Sequence, residues 1–141
     1  MGGAREVMDR LTDAVMGGRT DEVSNLYADN ATVITPDAGE VRGRDAISAW
    51  FNQFSAGFPD ASWEPLSKLE ASNTAIDEGY FIGTHTGPLE TPTGETIAPT
   101  GKEVRLRACD VATVENGLIT SHRFYFDQME FLEQLGLAPE A

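Results

Sequence analysis

Two periodicities divide the chain. Over residues 4–17, AREVMDRLTDAVMG, the apolar positions Val7, Leu11, Ala14 and Val15 recur at helical spacing, and Gly17 and Gly18 suit a helix end. Thr20 is placed to cap a second, short helix with Asp21 and Glu22 in its first turn and Val23, Leu26 and Tyr27 turned inward. ATVITP, 31–36, is rich in β-branched residues and stops at Pro36, which predicts a strand. After the turn PDAGEVRG, a third helix is expected from about Asp45. Ala46, Ile47, Trp50, Phe51 and Phe54 give it a strongly apolar face, and Gly57 and Pro59 close it.

Farther on, alternation replaces the helical stripe. SWEPLSKLEA is a strand candidate interrupted by Pro65, and TAIDEGYFIGTHTG, 74–87, is a better one. A loop rich in Gly, Pro and Thr covers 88–101. KEVRLRACDVATV, 102–114, alternates clearly; Glu115, Asn116 and Gly117 form a hairpin turn with an Asn-Gly signal, and LITSHRFYF, 118–126, returns. A last helix, QMEFLEQLG, carries Met129, Leu132 and Leu135 before Gly136. Neither repeats nor a linker interrupt the chain, so residues 1–141 are expected to form a single domain. Helices followed by a meander of long strands predict an α+β fold, a curved antiparallel sheet with helices on one face.

Composition narrows the partners. A chain of 141 residues can bury roughly two-thirds of its unfolded surface and enclose a small cavity. Its 23 acidic residues against 10 basic ones give a net charge of −13, a surface that repels phosphate backbones. Neither nucleic acid nor a membrane is therefore an expected partner. No apolar run approaches a bilayer span, the N-terminus lacks the apolar stretch of a signal peptide, and Glu6 stands where myristoylation needs Ser or Thr. The single cysteine, Cys109, allows no internal disulfide and suits a reducing compartment, so a cytoplasmic location is expected. The sequon Asn30-Ala31-Thr32 is then a chance match.

Candidate chemistry concentrates on the last two strands. One face of 102–114 is Val104, Leu106, Ala108, Asp110, Ala112 and Val114, so a carboxylate lies in the middle of an apolar face. Burial of such a group costs free energy unless it is paired, and it suits a proton-transfer catalyst; a bond to a backbone amide or to Arg123 would serve structure instead. Asp127 has two readings as well. Asp127-Gln128-Met129-Glu130 matches a capping box for the final helix, while strand parity sets Asp127 on one face with Arg123 and Tyr125, where all three could reach a cavity. His85 in GTHTGP could move a proton or hydrogen-bond a wall. His122, on the face opposite Asp127, reads as structural or exposed. No metal-ligand spacing, GxSxG elbow or P-loop occurs, which leaves an acid/base site without metal or cofactor as the remaining catalytic class. Trp50, Phe54 and Trp63 belong to an aromatic set able to line a pocket for a flat apolar ligand.

NLYADNATVITP, GRDAISAWF, GTHTGPL, APTGKEV, VENGLITSHRFYFDQ and FLEQLGL together resemble the SnoaL-like polyketide cyclase (ester cyclase) branch of the NTF2-like superfamily, over about residues 5–137. The resemblance implies a cone-shaped α+β fold with a sheet wrapping a deep pocket, and commonly a homodimer packed through the sheet. It implies an intramolecular aldol reaction on a hydrophobic carbonyl ligand, with Asp127 as general acid/base and His85 in the pocket wall. Asp110 falls where other members of the superfamily carry a functional acid. Relatives often have Trp in place of Arg123, so an Arg123–Asp127 ion pair would weaken Asp127 as a base. The same fold also serves isomerases, epoxide hydrolases and non-catalytic binders.

Overall fold

The computed structural model describes residues 3–90 and 94–137. Helix α1 (Ala4–Met16) leads through a 3-10 helix (Thr20–Leu26) into strands β1 (Tyr27–Thr35) and β2 (Gly39–Arg42), then helix α2 (Arg44–Gly57). Strands β3 (Ser62–Ala71) and β4 (Thr74–Thr84) follow, then a small hairpin of β5 (Leu89–Glu90) and β6 (Thr96–Ile97). Strands β7 (Glu103–Glu115) and β8 (Leu118–Phe126) and helix α3 (Gln128–Gln134) complete the described chain. Six strands form one sheet in the order β2-β1-β8-β7-β4-β3. All its neighbours are antiparallel except β1 and β8, which run parallel.

The local reasons are visible in the sequence. Helix α1 buries Ala4, Val7, Met8, Leu11, Ala14 and Val15, the stripe its periodicity predicts. The β7–β8 turn puts Asn116 at φ 53° and Gly117 at φ 78°, the left-handed pair that a two-residue hairpin requires. Pro65 is tolerated because β3 is an edge strand and its register against β4 shifts between Pro65 and Ser67. A side chain on Gly87 would collide with the Ala56 carbonyl oxygen, and the Thr86 and Gly87 amides donate to the Gly57 carbonyl. That docking fixes the exit of β4 against the end of α2.

Several expectations change, among them the turn PDAGEVRG, which contains β2, and the loop 88–101, which contains β5 and β6. The short second helix is a 3-10 segment whose first residue, Thr20, makes no capping bond. Strand β1 starts at Tyr27, not Ala31, because its first residue pairs with Ile119 of β8. In α3 the buried residue is Phe131, backed by Leu135, while Met129 is left exposed.

Two apolar clusters fill the concave side. One gathers α1, α2 and the 3-10 helix with residues of β1, β4, β7 and β8; the other centres on Phe58, Phe81, Val104, Leu106, Phe131 and Leu135. Members of both clusters line the space between them.

Candidate active site

That space is a cavity of about 130 Å³. Six phenylalanines and both tryptophans line it, with Leu11 and Val15 of α1 among the aliphatic side chains. Its polar lining residues are Thr12, Asp37, Asp110 and His122. The Thr12 hydroxyl is already spent on the Met8 carbonyl. Asp37 sits on the turn between β1 and β2, one carboxylate oxygen accepting from the Thr35 hydroxyl at 2.6 Å.

Asp110, on β7, is the second carboxylate of the lining. Its Oδ2 lies 2.6 Å from His122 Nε2, and His122 Nδ1 lies 2.6 Å from the Tyr27 hydroxyl. His122 and Tyr27 are fully buried, whereas the Asp110 side chain keeps 15% exposure. Burial, reinforced by the Asp110 charge, pushes the Tyr27 phenol well above its ordinary range, so it remains an O–H donor. Its one acceptor among the described residues is His122 Nδ1, which sets the imidazole proton on Nε2, donating to Asp110. Asp110 is thus oriented by two side chains in line, His122 and Tyr27, and among the described residues no hydrogen bond occupies its Oδ1. On the neighbouring strand the residue paired with Asp110 is Asp77, buried and 2.6 Å from Arg5 Nη2 of α1. Burial and the Asp110 charge push the Asp77 carboxyl up, and Arg5 opposes them.

The Tyr27 shift has a measurable sign. A phenol protonated in the folded chain and ionised in the unfolded one stabilises the fold fully below about pH 10, and that contribution is lost as pH rises. Unfolding free energy should therefore fall by up to about 1.4 kcal/mol per pH unit from this group above pH 10. Urea titrations should show Tyr27→Phe flattening that slope, and an unchanged slope would contradict the burial account.

Trp50, Phe54, Trp63 and Asp110 line the cavity. Four other expected site residues lie elsewhere. Asp127 is the N-cap of α3, its Oδ1 accepting from the Met129 and Glu130 amides at 3.0 and 3.2 Å, and it does not line the cavity. Arg123 donates to the Ser121 hydroxyl, and no ion pair joins it to Asp127 among the described residues. Tyr125 is 55% exposed. His85 is buried in a separate place, where Nδ1 accepts from the Thr100 amide and burial lowers its pKa. His122, expected to be structural or exposed, is fully buried between Tyr27 and Asp110.

One residue accounts for most of this. Next to the turn, Glu115 faces Leu118 and Val114 faces Ile119; beyond a shift in register, Thr113 faces Ser121 and Asp110 faces Phe124. Thr120 is the extra residue, a β-bulge. Without it Asp110 would face Arg123, and Arg123, Tyr125 and Asp127 would share the concave side. With it, every side chain beyond Thr120 swaps faces, so His122, Phe124 and Phe126 turn inward.

No helix among the described residues is long and apolar enough to cross a membrane, and among them no group of three or more His, Cys, Asp or Glu could hold a metal ion.

Comparison with solved structures identifies the architecture. A SnoaL-like polyketide cyclase candidate from Jannaschia sp. CCS1 superposes with a TM-score of 0.80 at 19% identity, covering 96% of this chain and 92% of that one. A protein of Catenulispora acidiphila DSM 44928 with a ketosteroid isomerase-like fold, solved with trimethylamine, gives 0.76 at 18% identity over 95% and 94%. TsrD from Streptomyces laurentii gives 0.76 at 19% over 94% and 93%. At such identities these likenesses show the fold, an NTF2-like α+β arrangement of curved sheet and helices. No curated protein matches the sequence significantly. The SnoaL-like domain family matches residues 8–122, most of the chain, a span that includes Asp110 and ends at His122, and the chain belongs to that family.

Proposed function

We propose that the cavity binds a small hydrophobic carbonyl compound and that Asp110 moves a proton on it, as in an intramolecular aldol reaction of the polyketide cyclase type. The observation that carries this reading is a carboxylate inside an apolar, aromatic cavity with one oxygen held by His122 and the other without a hydrogen bond among the described residues. Asp110 Oδ1 takes a proton from the carbon next to a carbonyl, leaving an enolate. The enolate carbon attacks a second carbonyl carbon of the same molecule, a C–C bond forms, and the resulting alkoxide takes the proton back. Substrate and product are isomers, so the cycle closes without a co-reactant. His122 and Tyr27 position the carboxylate; they do not touch the reacting atoms. Trp63 Nε1 is buried without a partner among the described residues, which makes it a suitable donor for a ligand oxygen.

Binding is the first test. Both tryptophans of the chain line the cavity, so a flat aromatic ketone such as 2-tetralone should change the tryptophan emission saturably. Emission indifferent to the ketone up to its solubility limit would remove the cavity as a binding site.

The outer face of the sheet supports a homodimer as part of this proposal. Register aligns Leu69, Ile76, Val111, Arg123 and Ile34 in one row across five strands, and Leu69 and Ile34 are 57% and 46% exposed. Sedimentation should give a dimer at micromolar concentration, and Leu69→Asp should yield folded monomer. A wild-type monomer at such concentrations would contradict it.

A further inference from the structure

The charge of the cavity wall narrows what the cavity takes. Among the described residues its lining holds two carboxylates, Asp37 and Asp110, and neither a lysine nor an arginine. The remaining surface is dominated by aromatic rings, with Trp50 packed edge-on to Phe51 at 4.8 Å and against Phe124 at 5.4 Å. A ligand carboxylate or phosphate would enter an apolar space with no cation to pair with it, and would meet two like charges. A protonated amine meets the opposite conditions. Carboxylates attract it, the negative faces of the rings attract it, and a protein of net charge −13 concentrates cations around itself. The positions of the two acids also differ in use. Asp110 is part-buried and held by the imidazole of His122, whereas Asp37 is part-buried on the β1–β2 turn, with Oδ1 engaged by the Thr35 hydroxyl and, among the described residues, no hydrogen bond to Oδ2.

We propose that the ligand of this cavity is a flat, largely apolar molecule bearing a protonated amine, with the ammonium at Asp37 on the β1–β2 turn and the ring system among the aromatic side chains. The proposal rests on the cavity being the ligand site. It adds the ligand's charge and the end at which that charge sits. Asp37 is here a specificity-determining residue, with no part in proton transfer.

Three probes of one skeleton test it: 1-naphthylmethylammonium, 1-naphthalenemethanol and 1-naphthaleneacetate, titrated into the full chain by tryptophan emission and calorimetry at pH 7 and low salt. The ammonium should bind at least tenfold more tightly than the alcohol, and the acetate should bind most weakly. Asp37→Asn, in which the amide oxygen can still accept from Thr35, should cut the ammonium-to-alcohol ratio severalfold and leave the alcohol unchanged. Equal affinity for ammonium and alcohol, or tighter binding of the acetate, would overturn the inference while leaving the cavity as a site for neutral ligands. A preference for the ammonium that Asp37→Asn does not alter would overturn the assignment of Asp37. Failure of all three to bind would remove the inference and the cavity reading together.

Discussion

Asp110→Asn should lower proton transfer to and from a bound ketone by about 10²–10⁴-fold, the range that a positioned general base contributes. An amide has nearly the volume of the carboxylate and can still accept from His122 Nε2, which lies 2.6 Å away, so cavity and fold should persist. What disappears is the ability to take a proton. Thermal unfolding and ketone binding serve as controls, and both should stay near wild type. Retained proton transfer in this variant would exclude Asp110 as the base.

Phe58→Ala should have the largest effect on stability, about 3–5 kcal/mol, corresponding to a fall in Tm of roughly 10–15 °C for a domain of this size. Phe58 is 1% exposed and does not line the cavity. It stands behind the wall, with ring centroids 5.3 Å from both Phe54 and Phe81 and 6.0 Å from Phe131. Those three rings do line the cavity, so the loss combines apolar transfer with a void that the α2–β4 packing cannot collapse to fill. Calorimetry reads it directly, and a loss under about 1 kcal/mol would mean that the second apolar cluster repacks freely.

Much of this was legible in the residues. The stripe of α1, the aromatic face of α2 and the alternation of β7 carry the fold because each obeys a single period over many positions. The hairpin turn was legible because Asn116 and Gly117 tolerate positive φ. Asp110 was legible as an acid on an apolar face. The partner of Asp110 was not. Parity within β8 groups Arg123, Tyr125 and Asp127 on one face, but which face turns inward depends on the register against β7, and one extra residue, Thr120, reverses it. That reversal conceals His122 and brings Arg123, Tyr125 and Asp127 forward as false neighbours of the cavity. Nothing in TSHRFYFDQ marks the bulge; the polarity of Arg123 and Tyr125 is the one sign that their face is the outer one. Tyr27 was hidden differently. It reads as an inward residue at the end of a short helix, and only the parallel pairing of β1 with β8 brings its hydroxyl to His122. Asp127 serves as the N-cap of α3, its carboxylate accepting from the Met129 and Glu130 amides, a local signal that needs no tertiary information.

The central claim, that the carboxylate inside the cavity is the base and the one at the end of β8 is a helix cap, reduces to one comparison. Incubate 2-tetralone in D2O with wild type, Asp110→Asn and Asp127→Asn, and follow deuterium uptake at the carbon next to the carbonyl by NMR. Wild type and Asp127→Asn should exchange at similar rates above the buffer blank, because Asn is itself a good N-cap, while Asp110→Asn should fall to the blank. Exchange that survives in Asp110→Asn and vanishes in Asp127→Asn would contradict the account.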